Sequence, residues 1–264
     1  MWNPSAELIA SLAKLEVLFS VGAGIDQFDL SRIPEHITVV RMIEPRLTQG
    51  MAEYVVMTTL ALHRNLVDYV ESQRERRWAP IDLVPAKQRR VGIMGLGMMG
   101  QAAIDALRPF GFELAGWSRS ARSLPGIDCY AGQDELANFL ARTDILICLL
   151  PLTEEARGIL CRRTFALLPR GAGLINAGRG GHLVEADLLE ALGTGHISAA
   201  IVDVLNQEPP AADHPFWSHP RIIMTPHMAS NTDPETGGRA LLENVLRHQR
   251  GEPMHGVIHR ERGY

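Results

Sequence analysis

The sequence is poor in cysteine, in excess charge of one sign and in long apolar runs. The three cysteines, Cys129, Cys148 and Cys161, are spaced too irregularly for a zinc pattern, and their odd number favours a reducing compartment. A formal net charge of -4 gives no electrostatic reason to expect nucleic acid. The longest apolar run, 145–150, is far too short to span a bilayer, and 1–16 lacks the basic region of a signal peptide. These absences predict a cytoplasmic protein with neither a membrane nor a nucleic-acid partner.

The spacing of apolar runs divides the chain into three parts, residues 1–87, 88–230 and 231–264. Hydrophobic residues make up 46% of the chain, which is enough for a sizeable core. In the middle part, continuous apolar strands alternate with amphipathic helices, which is typical of a parallel sheet buried on both faces. Its predicted strands are 91–94, 113–117, 145–149, 173–176, 199–204 and 222–225, and its helices include 98–110, 134–141 and 185–192. The pattern predicts an α/β fold with a doubly wound domain.

Fewer elements are predicted outside the middle part. Apolar residues that include Met51, Tyr54 and Val55 recur at helical spacing, and they predict a long helix that starts near Gly50. The other predicted elements are strands 17–20 and 38–42 and a C-terminal helix over 235–250. The first part is therefore expected to be a smaller α/β region.

A glycine-rich segment directly follows the strand at 91–94 and opens the next helix. It reads Gly95-Leu96-Gly97-Met98-Met99-Gly100. In this context Gly95 makes a tight turn, Gly97 lets the backbone approach a pyrophosphate, and Gly100 lets the helix pack on the strand. The free N–H groups of the helix N-terminus favour the phosphates. The segment predicts a dinucleotide site, and the alternative is a glycine-rich turn without a ligand.

The strand at 113–117 leads into Trp117-Ser118-Arg119-Ser120, where no acidic residue is present. A site for NAD usually places Asp or Glu here to bind the ribose 2′-hydroxyl. A guanidinium such as that of Arg119 can instead hold a 2′-phosphate in fork geometry. The cofactor is therefore predicted to be NADPH in preference to NADH, with NADH possible. The alternative is that Arg119 is a solvated surface charge.

Three further segments each follow a predicted strand, and they bring Arg179, Glu208 and His227 to the carboxyl edge of one sheet. Arg179 can bind a carboxylate and polarise a carbonyl, His227 can act as an acid, and Glu208 can orient the imidazole. Residues at the same edge are predicted to join the cofactor site, namely Leu150, Pro151, Ala177, Gly178, Arg179 and Asp203. The other histidines show no metal-ligand spacing, so no metal site is predicted.

In order and spacing, these motifs resemble the D-isomer-specific 2-hydroxyacid dehydrogenase family. Within that family the chain is similar to the branch that reduces glyoxylate and hydroxypyruvate, which shares the segments 117–120, 216–221 and 262–264. The resemblance implies hydride transfer from a nicotinamide to a small 2-oxo acid, with the same roles for the Arg, Glu and His. It also implies a homodimer joined through the cofactor lobes, and a site in the cleft between those lobes and a flavodoxin-like substrate lobe. The substrate-binding residues that it implies are the backbone of Gly22, Ala23 and Gly24 and, lining the pocket, Trp2.

Members of the family carry a strand–helix–strand segment before the position that matches Met1. The flavodoxin-like lobe is therefore expected to be incomplete at its N-terminus, and the gene product is expected to start upstream. The alternative is a genuine short form. Three other functions stay open: a reductase of a larger 2-oxo acid, a dinucleotide-sensing protein without turnover, and an inactive truncated form.

Overall fold

The computed structural model describes residues 4–25 and 28–260. Its helices are α1 (Ala6–Ser11), α2 (Pro45–His63), α3 (Leu66–Arg74), α4 (Met98–Leu107), α5 (Gly132–Ala141), α6 (Arg162–Phe165), α7 (Glu185–Gly193) and α8 (Pro234–Gln249). Its strands are β1 (Val17–Phe19), β2 (Thr38–Val40), β3 (Arg90–Met94), β4 (Glu113–Ser118), β5 (Asp128–Ala131), β6 (Ile145–Cys148), β7 (Ala172–Asn176), β8 (Ile197–Val202) and β9 (Ile222–Met224). Across the described ranges, no helix has both the length and the apolar character that a membrane crossing requires.

The chain forms two compact units. The larger is Met51–Ala229, and the smaller combines Met1–Gly50 with Ser230–Tyr264. The larger unit is built on a parallel sheet in the order β5-β4-β3-β6-β7-β8-β9. The strand order reverses between β3 and β6, so their carboxyl ends form the crevice where doubly wound folds bind ligands. The predicted α/β doubly wound fold is confirmed.

Both faces of this sheet are covered, which explains why its central strands are almost wholly apolar. Every residue of β6 and β7 is buried. One buried cluster includes Phe139 and Phe165, and a second includes Val55, Ile104 and Leu107. In the second cluster, α2 packs against the sheet from residue 51 onward. The sequence pattern instead predicts this helix as part of the first region, 1–87.

The observed helix also begins earlier than predicted and does not run unbroken. Pro45 takes the first helical position, where its missing N–H costs nothing and its fixed φ suits the helix. The run ends at His63, and Asn65 adopts a left-handed conformation with φ of 56° before α3 begins. Asparagine tolerates this region better than most residues, so it separates two helices where apolar spacing alone predicts one.

Strand β5 was not predicted from the sequence. It forms the edge of the sheet, and none of its four residues is fully buried. A short strand that is partly exposed lacks the continuous apolar run by which the central strands are recognised.

The smaller unit holds a two-stranded parallel sheet in which Val17 pairs with Thr38. Its core includes Ile9, Phe28 and Ile258. The two predicted strands are therefore present, each three residues long.

An ion pair at the amino edge of the large sheet carries a stability prediction. Arg90 donates to Asp144 through Nε at 3.1 Å, Nη2 at 2.6 Å and its backbone N–H at 2.9 Å. Burial opposes ionisation of Asp144. The hydrogen bonds from Arg90 and the charges of Arg90 and Arg89 outweigh that effect and hold the pKa of this carboxyl below its ordinary value. The ionised pair therefore stabilises the folded state.

We expect Asp144→Asn to lower the free energy of unfolding by about 1 kcal/mol at neutral pH, because the partly exposed guanidinium of Arg90 loses its counter-charge. A carboxyl with a lowered folded pKa contributes stability above its unfolded pKa and loses it as the pH falls through the folded value. The difference between wild type and variant in urea melts should therefore shrink below about pH 4. Asp105→Asn, which removes an exposed pair with Arg108, is the matched control and should change stability by less than about 0.5 kcal/mol. An equal loss at acid and neutral pH would contradict this account.

Candidate active site

The glycine segment forms the tight turn from β3 into α4. Gly95 has a φ of +105°, and a Cβ there would lie 2.7 Å from the Leu149 carbonyl oxygen. A Cβ on Gly100 would overlap the carbonyl oxygen of Gly95, so only glycine lets the helix approach this closely. Gly97 is the N-cap of α4, and a Cβ there would meet nothing within 4 Å. The turn thus leaves open space beside Gly97 at a helix N-terminus, which suits a phosphate.

The other residues of the turn divide between the core and the surface. Leu96 is buried in the core cluster that includes Ile93, whereas Met98 is exposed and Met99 is partly exposed. The side chain of Leu96 therefore holds the turn in place, and any contact that it makes with a dinucleotide comes from its backbone.

The loop after β4 divides in the same way. Trp117 is buried and donates from Nε1 to the Gly132 carbonyl at 2.8 Å. The buried Ser118 hydroxyl donates to the Ser120 carbonyl at 2.8 Å. Arg119 and Ser120 are exposed, and positions 117–122 hold no carboxylate. The exposed polar side chains at 117–122 are therefore the Arg119 and Arg122 guanidinium groups and the Ser120 hydroxyl.

Arg119 also faces a carboxylate from the loop after β6. The pKa of Glu155 lies below its ordinary value, chiefly because its own backbone N–H and the Thr153 hydroxyl donate to it, with the charge of Arg119 adding to the effect. The charge of Arg119 therefore acts on a carboxylate of the loop after β6.

The segment that carries Arg179 follows β7 and is held from within. The buried Asn176 side chain donates to the Arg179 carbonyl at 3.2 Å and accepts from the Gly178 N–H at 3.3 Å. Arg179 Nη1 donates to the Gly178 carbonyl at 2.8 Å. Ala177 and Gly178 are both buried. A Cβ on Gly180 would overlap the Leu205 carbonyl group, so this segment lies directly against the loop after β8.

His182 is a site residue that sequence reasoning missed, since it considered this side chain only as a metal ligand. It is fully buried, and its Nδ1 accepts from the Arg179 N–H at 3.0 Å. A backbone N–H can only donate, so the neutral ring carries its proton on Nε2, which lies 3.3 Å from the Pro151 carbonyl. His182 thus ties the Arg179 segment to the loop of Leu150 and Pro151.

His227 and Glu208 form a close pair on the next two loops. His227 Nδ1 lies 2.6 Å from Glu208 Oε2, and Glu208 Oε1 accepts from the Leu205 N–H at 2.9 Å. The two side chains are 32% and 36% exposed, so the imidazole is held and still accessible. Because Nδ1 faces the carboxylate, Nε2 is the ring atom that remains for proton exchange with a bound molecule. Glu208 thus lies where it can orient the imidazole, as an acid–base histidine requires.

Asp203 lies beneath the loop that carries His227. Its carboxylate is almost fully buried and accepts from the Thr225 hydroxyl at 2.5 Å and from the N–H groups of Met228 and Ala229 at 2.9 and 2.8 Å. Its backbone carbonyl accepts from the His227 N–H at 2.8 Å. The carboxylate is thus occupied with the loop, and a cofactor contact for Asp203 stays a prediction.

The predicted carboxylate-binding backbone lies in the smaller unit. The Ser20 hydroxyl donates to the carbonyls of Gly22 and Gly24 at 3.0 and 2.8 Å, which stabilises the bend that includes Ala23. Trp2 lies outside the described residues. Within the described part of the chain, no group of three or more His, Cys, Asp and Glu side chains could hold a metal ion.

Comparison with known proteins adds a family to this geometry. Residues 56–229 match the profile described as D-isomer specific 2-hydroxyacid dehydrogenase, NAD binding domain. Over 271 residues the chain is 39% identical to glyoxylate/hydroxypyruvate reductase A of Klebsiella pneumoniae strain 342. The alignment covers 100% of this chain and 86% of that protein. The chain is 36% identical over 270 residues to the protein of the same name from Yersinia enterocolitica, with the same coverage.

Solved structures of 2-hydroxyacid dehydrogenases are also similar to this chain. The chain is 37% identical to a D-isomer specific 2-hydroxyacid dehydrogenase of Xanthobacter autotrophicus Py2 solved with NADPH and MES, with a TM-score of 0.94 over 100% of this chain and 84% of that one. It is 36% identical to an NADPH-dependent glyoxylate/hydroxypyruvate reductase of Sinorhizobium meliloti solved with NADP and sulfate. The TM-score there is again 0.94, over 100% of this chain and 85% of that one.

Proposed function

Because the chain belongs to the D-isomer-specific 2-hydroxyacid dehydrogenase family, we propose that it reduces a small 2-oxo acid to the 2-hydroxy acid with NADPH. Glyoxylate and hydroxypyruvate are the proposed substrates, after the names of the relatives. The observation that carries the proposal is the 2.6 Å pair of His227 and Glu208, on loops that follow β9 and β8, beside the Arg179 segment after β7. The three groups that the reaction needs thus follow three neighbouring strands.

In the proposed reaction a nicotinamide supplies a hydride to C2 of the 2-oxo acid. The carbonyl π electrons move to the oxygen, which takes the proton of His227 Nε2 and becomes the hydroxyl. Arg179 binds the carboxylate and stabilises the charge that develops on the oxygen. Glu208 stabilises the protonated imidazole before transfer and keeps the ring oriented throughout.

The residues present fit a dinucleotide phosphate. The open backbone at Gly97 and the N-terminus of α4 would hold the pyrophosphate. Arg119 and Ser120 would bind the 2′-phosphate, because no carboxylate at 117–122 repels it or competes for its place. The NADPH and NADP found with the solved relatives support the same preference.

The preference for NADPH is tested by Arg119→Ala. We expect the KM for NADPH to rise about tenfold while the KM for NADH changes little, because only NADPH carries the phosphate that this guanidinium binds. Arg163→Ala removes an exposed arginine on α6, outside this loop, and is the control. Steady-state kinetics with each cofactor measure the effect. An equal rise in KM for both cofactors would show that Arg119 supports the loop and does not bind the 2′-phosphate.

We also infer a homodimer formed through the larger unit. Its support is a run of exposed apolar side chains after α3, in which Trp78 is 99% exposed and Leu83 is 54% exposed. Large apolar surfaces of this kind mark interfaces. Light scattering on the purified protein measures the mass, and a monomer at micromolar concentration would contradict the inference.

The proposed activity is tested by the loss of NADPH absorbance with glyoxylate, hydroxypyruvate and a bulkier 2-oxo acid, each also with NADH. Turnover of the two small acids would support the proposal. Faster turnover of the bulkier acid would support the proposed reaction but show that the substrate is a larger 2-oxo acid. NADPH binding without any turnover would overturn the proposal in favour of a dinucleotide-sensing protein or an inactive form.

A further inference from the structure

Tyr54 is a buried tyrosine whose hydroxyl reaches the catalytic loop. It lies on α2 and is 6% exposed, and its hydroxyl is 2.8 Å from Thr225 Oγ1. Thr225 Oγ1 in turn lies 2.5 Å from Asp203 Oδ1. The three groups form a chain from the helix, through the loop, to the buried carboxylate.

The direction of these hydrogen bonds follows from the protons available. A hydroxyl has one proton and a carboxylate only accepts, so Thr225 donates to Asp203 and Tyr54 donates to Thr225. Burial, the largest influence, raises the pKa of Tyr54. The charge of Asp203 adds to this effect, against the opposing bond to Thr225. Tyr54 therefore keeps its proton at neutral pH and has it to donate.

The loop that this chain supports has an uncommon backbone. His227 has a φ of 51°, which a residue with a side chain seldom adopts unless its surroundings hold it there. Asp203 holds the loop on both sides of His227, through Thr225 before it and Met228 and Ala229 after it. The position of the imidazole thus depends on the position of one buried carboxylate and on Thr225.

We propose that Tyr54 is a positioning residue of the reaction, whose hydroxyl fixes Thr225 and through it the place of His227. The inference rests on the proposed function and names a residue that the apolar spacing of α2 assigns only to the core. The aromatic ring of Tyr54 packs in a core cluster with Val91 and Ile104, and the hydroxyl holds the loop. Because geometry in an active site is exacting, the loss of one such bond slows the chemical step more than it weakens binding.

The first test is Tyr54→Phe, which keeps the ring and removes the hydroxyl. We expect kcat to fall about three- to tenfold, with the KM for NADPH and the melting temperature nearly unchanged. Tyr69→Phe is the matched control, because it also removes a tyrosine hydroxyl that is hydrogen-bonded. The Tyr69 hydroxyl accepts from the Ile81 N–H at 3.2 Å and donates to the Ile81 carbonyl at 3.5 Å. An equal effect of the two substitutions on kcat would overturn the proposal.

A double-mutant cycle tests the route through Thr225. Thr225→Val removes the hydroxyl to which Tyr54 donates. Adding Tyr54→Phe to this variant should therefore lower kcat no further. The two losses would multiply if Tyr54 acted only on its own surroundings, and this result would overturn the proposal.

Hydrogen exchange separates this inference from the proposed activity. The amides of Met228 and Ala229 should exchange several times faster in Tyr54→Phe than in wild type or Tyr69→Phe, because the loop is less firmly held. If wild type shows no turnover, the proposed function fails and this measurement still decides the positioning role. Unchanged exchange in Tyr54→Phe would overturn that role whatever the activity.

Discussion

Replacing His227 with glutamine should lower kcat about a thousandfold at saturating NADPH, while NADPH binding changes little. General acid–base catalysis is worth about 10²–10⁴ in rate, and a glutamine amide has no proton that it can give to an alkoxide. Glutamine is close to histidine in length, and its amide N–H can donate to the Glu208 carboxylate, which lies 2.6 Å from Nδ1 in the wild type, so the loop should keep its conformation. The variant therefore removes the proton donor and leaves most of the site in place.

The smaller unit offers a second His–Glu pair as a matched control. His248 Nε2 lies 2.7 Å from Glu16 Oε2, and both residues are exposed. We expect His248→Gln to keep turnover within about threefold of wild type, because an exposed pair that takes no part in the proposed reaction affects only local packing. Near-wild-type kcat in His227→Gln, or equal losses in the two variants, would contradict the assignment of His227 as the acid.

The sheet, and the shared edge at which the candidate catalytic residues lie, could be predicted because both depend on local patterns. Strands β6 and β7 are continuous apolar runs, since each is covered on both faces, and a residue that follows such a strand lies at its carboxyl edge. Arg179, Glu208 and His227 each follow one strand, so their order along the chain indicates their shared edge. The 2.6 Å pair in the structure is the kind of contact that this order predicts.

The supports of these residues depend on contacts between distant parts of the chain, which local patterns do not contain. Tyr54 and Thr225 are separated by 171 positions, and the apolar spacing of α2 predicts that Tyr54 faces the core without indicating what its hydroxyl meets. His182 stands only three positions after Arg179. Its importance comes from the Pro151 carbonyl on the other side of its ring, 31 positions away in sequence. Residues that are proposed to contact the substrate can be predicted from the chemistry of their side chains. Residues that hold them in place can be identified only from the packing in the structure.

Replacing Arg179 with alanine should lower kcat/KM for the 2-oxo acid by about 10³-fold or more. In the proposed reaction the guanidinium binds the carboxylate and stabilises the developing charge on the oxygen, and one such donor is worth about 10²–10³ in rate on its own. Arg179→Lys keeps the charge and loses the planar fork, so it should recover only a small part of the loss. The KM for the 2-oxo acid should rise in both variants, and NADPH affinity should change much less.

Arg163→Ala, which removes an exposed arginine on α6, is the control for Arg179→Ala and should behave as wild type. The comparison of lysine and alanine decides what the guanidinium does. Lysine with near-wild-type activity would mean that charge alone is needed, and the bidentate role would be wrong. An alanine variant with an unchanged KM for the 2-oxo acid would remove Arg179 from the substrate site and leave it as a residue that shapes the loop after β7. The second result would require another cation for the carboxylate.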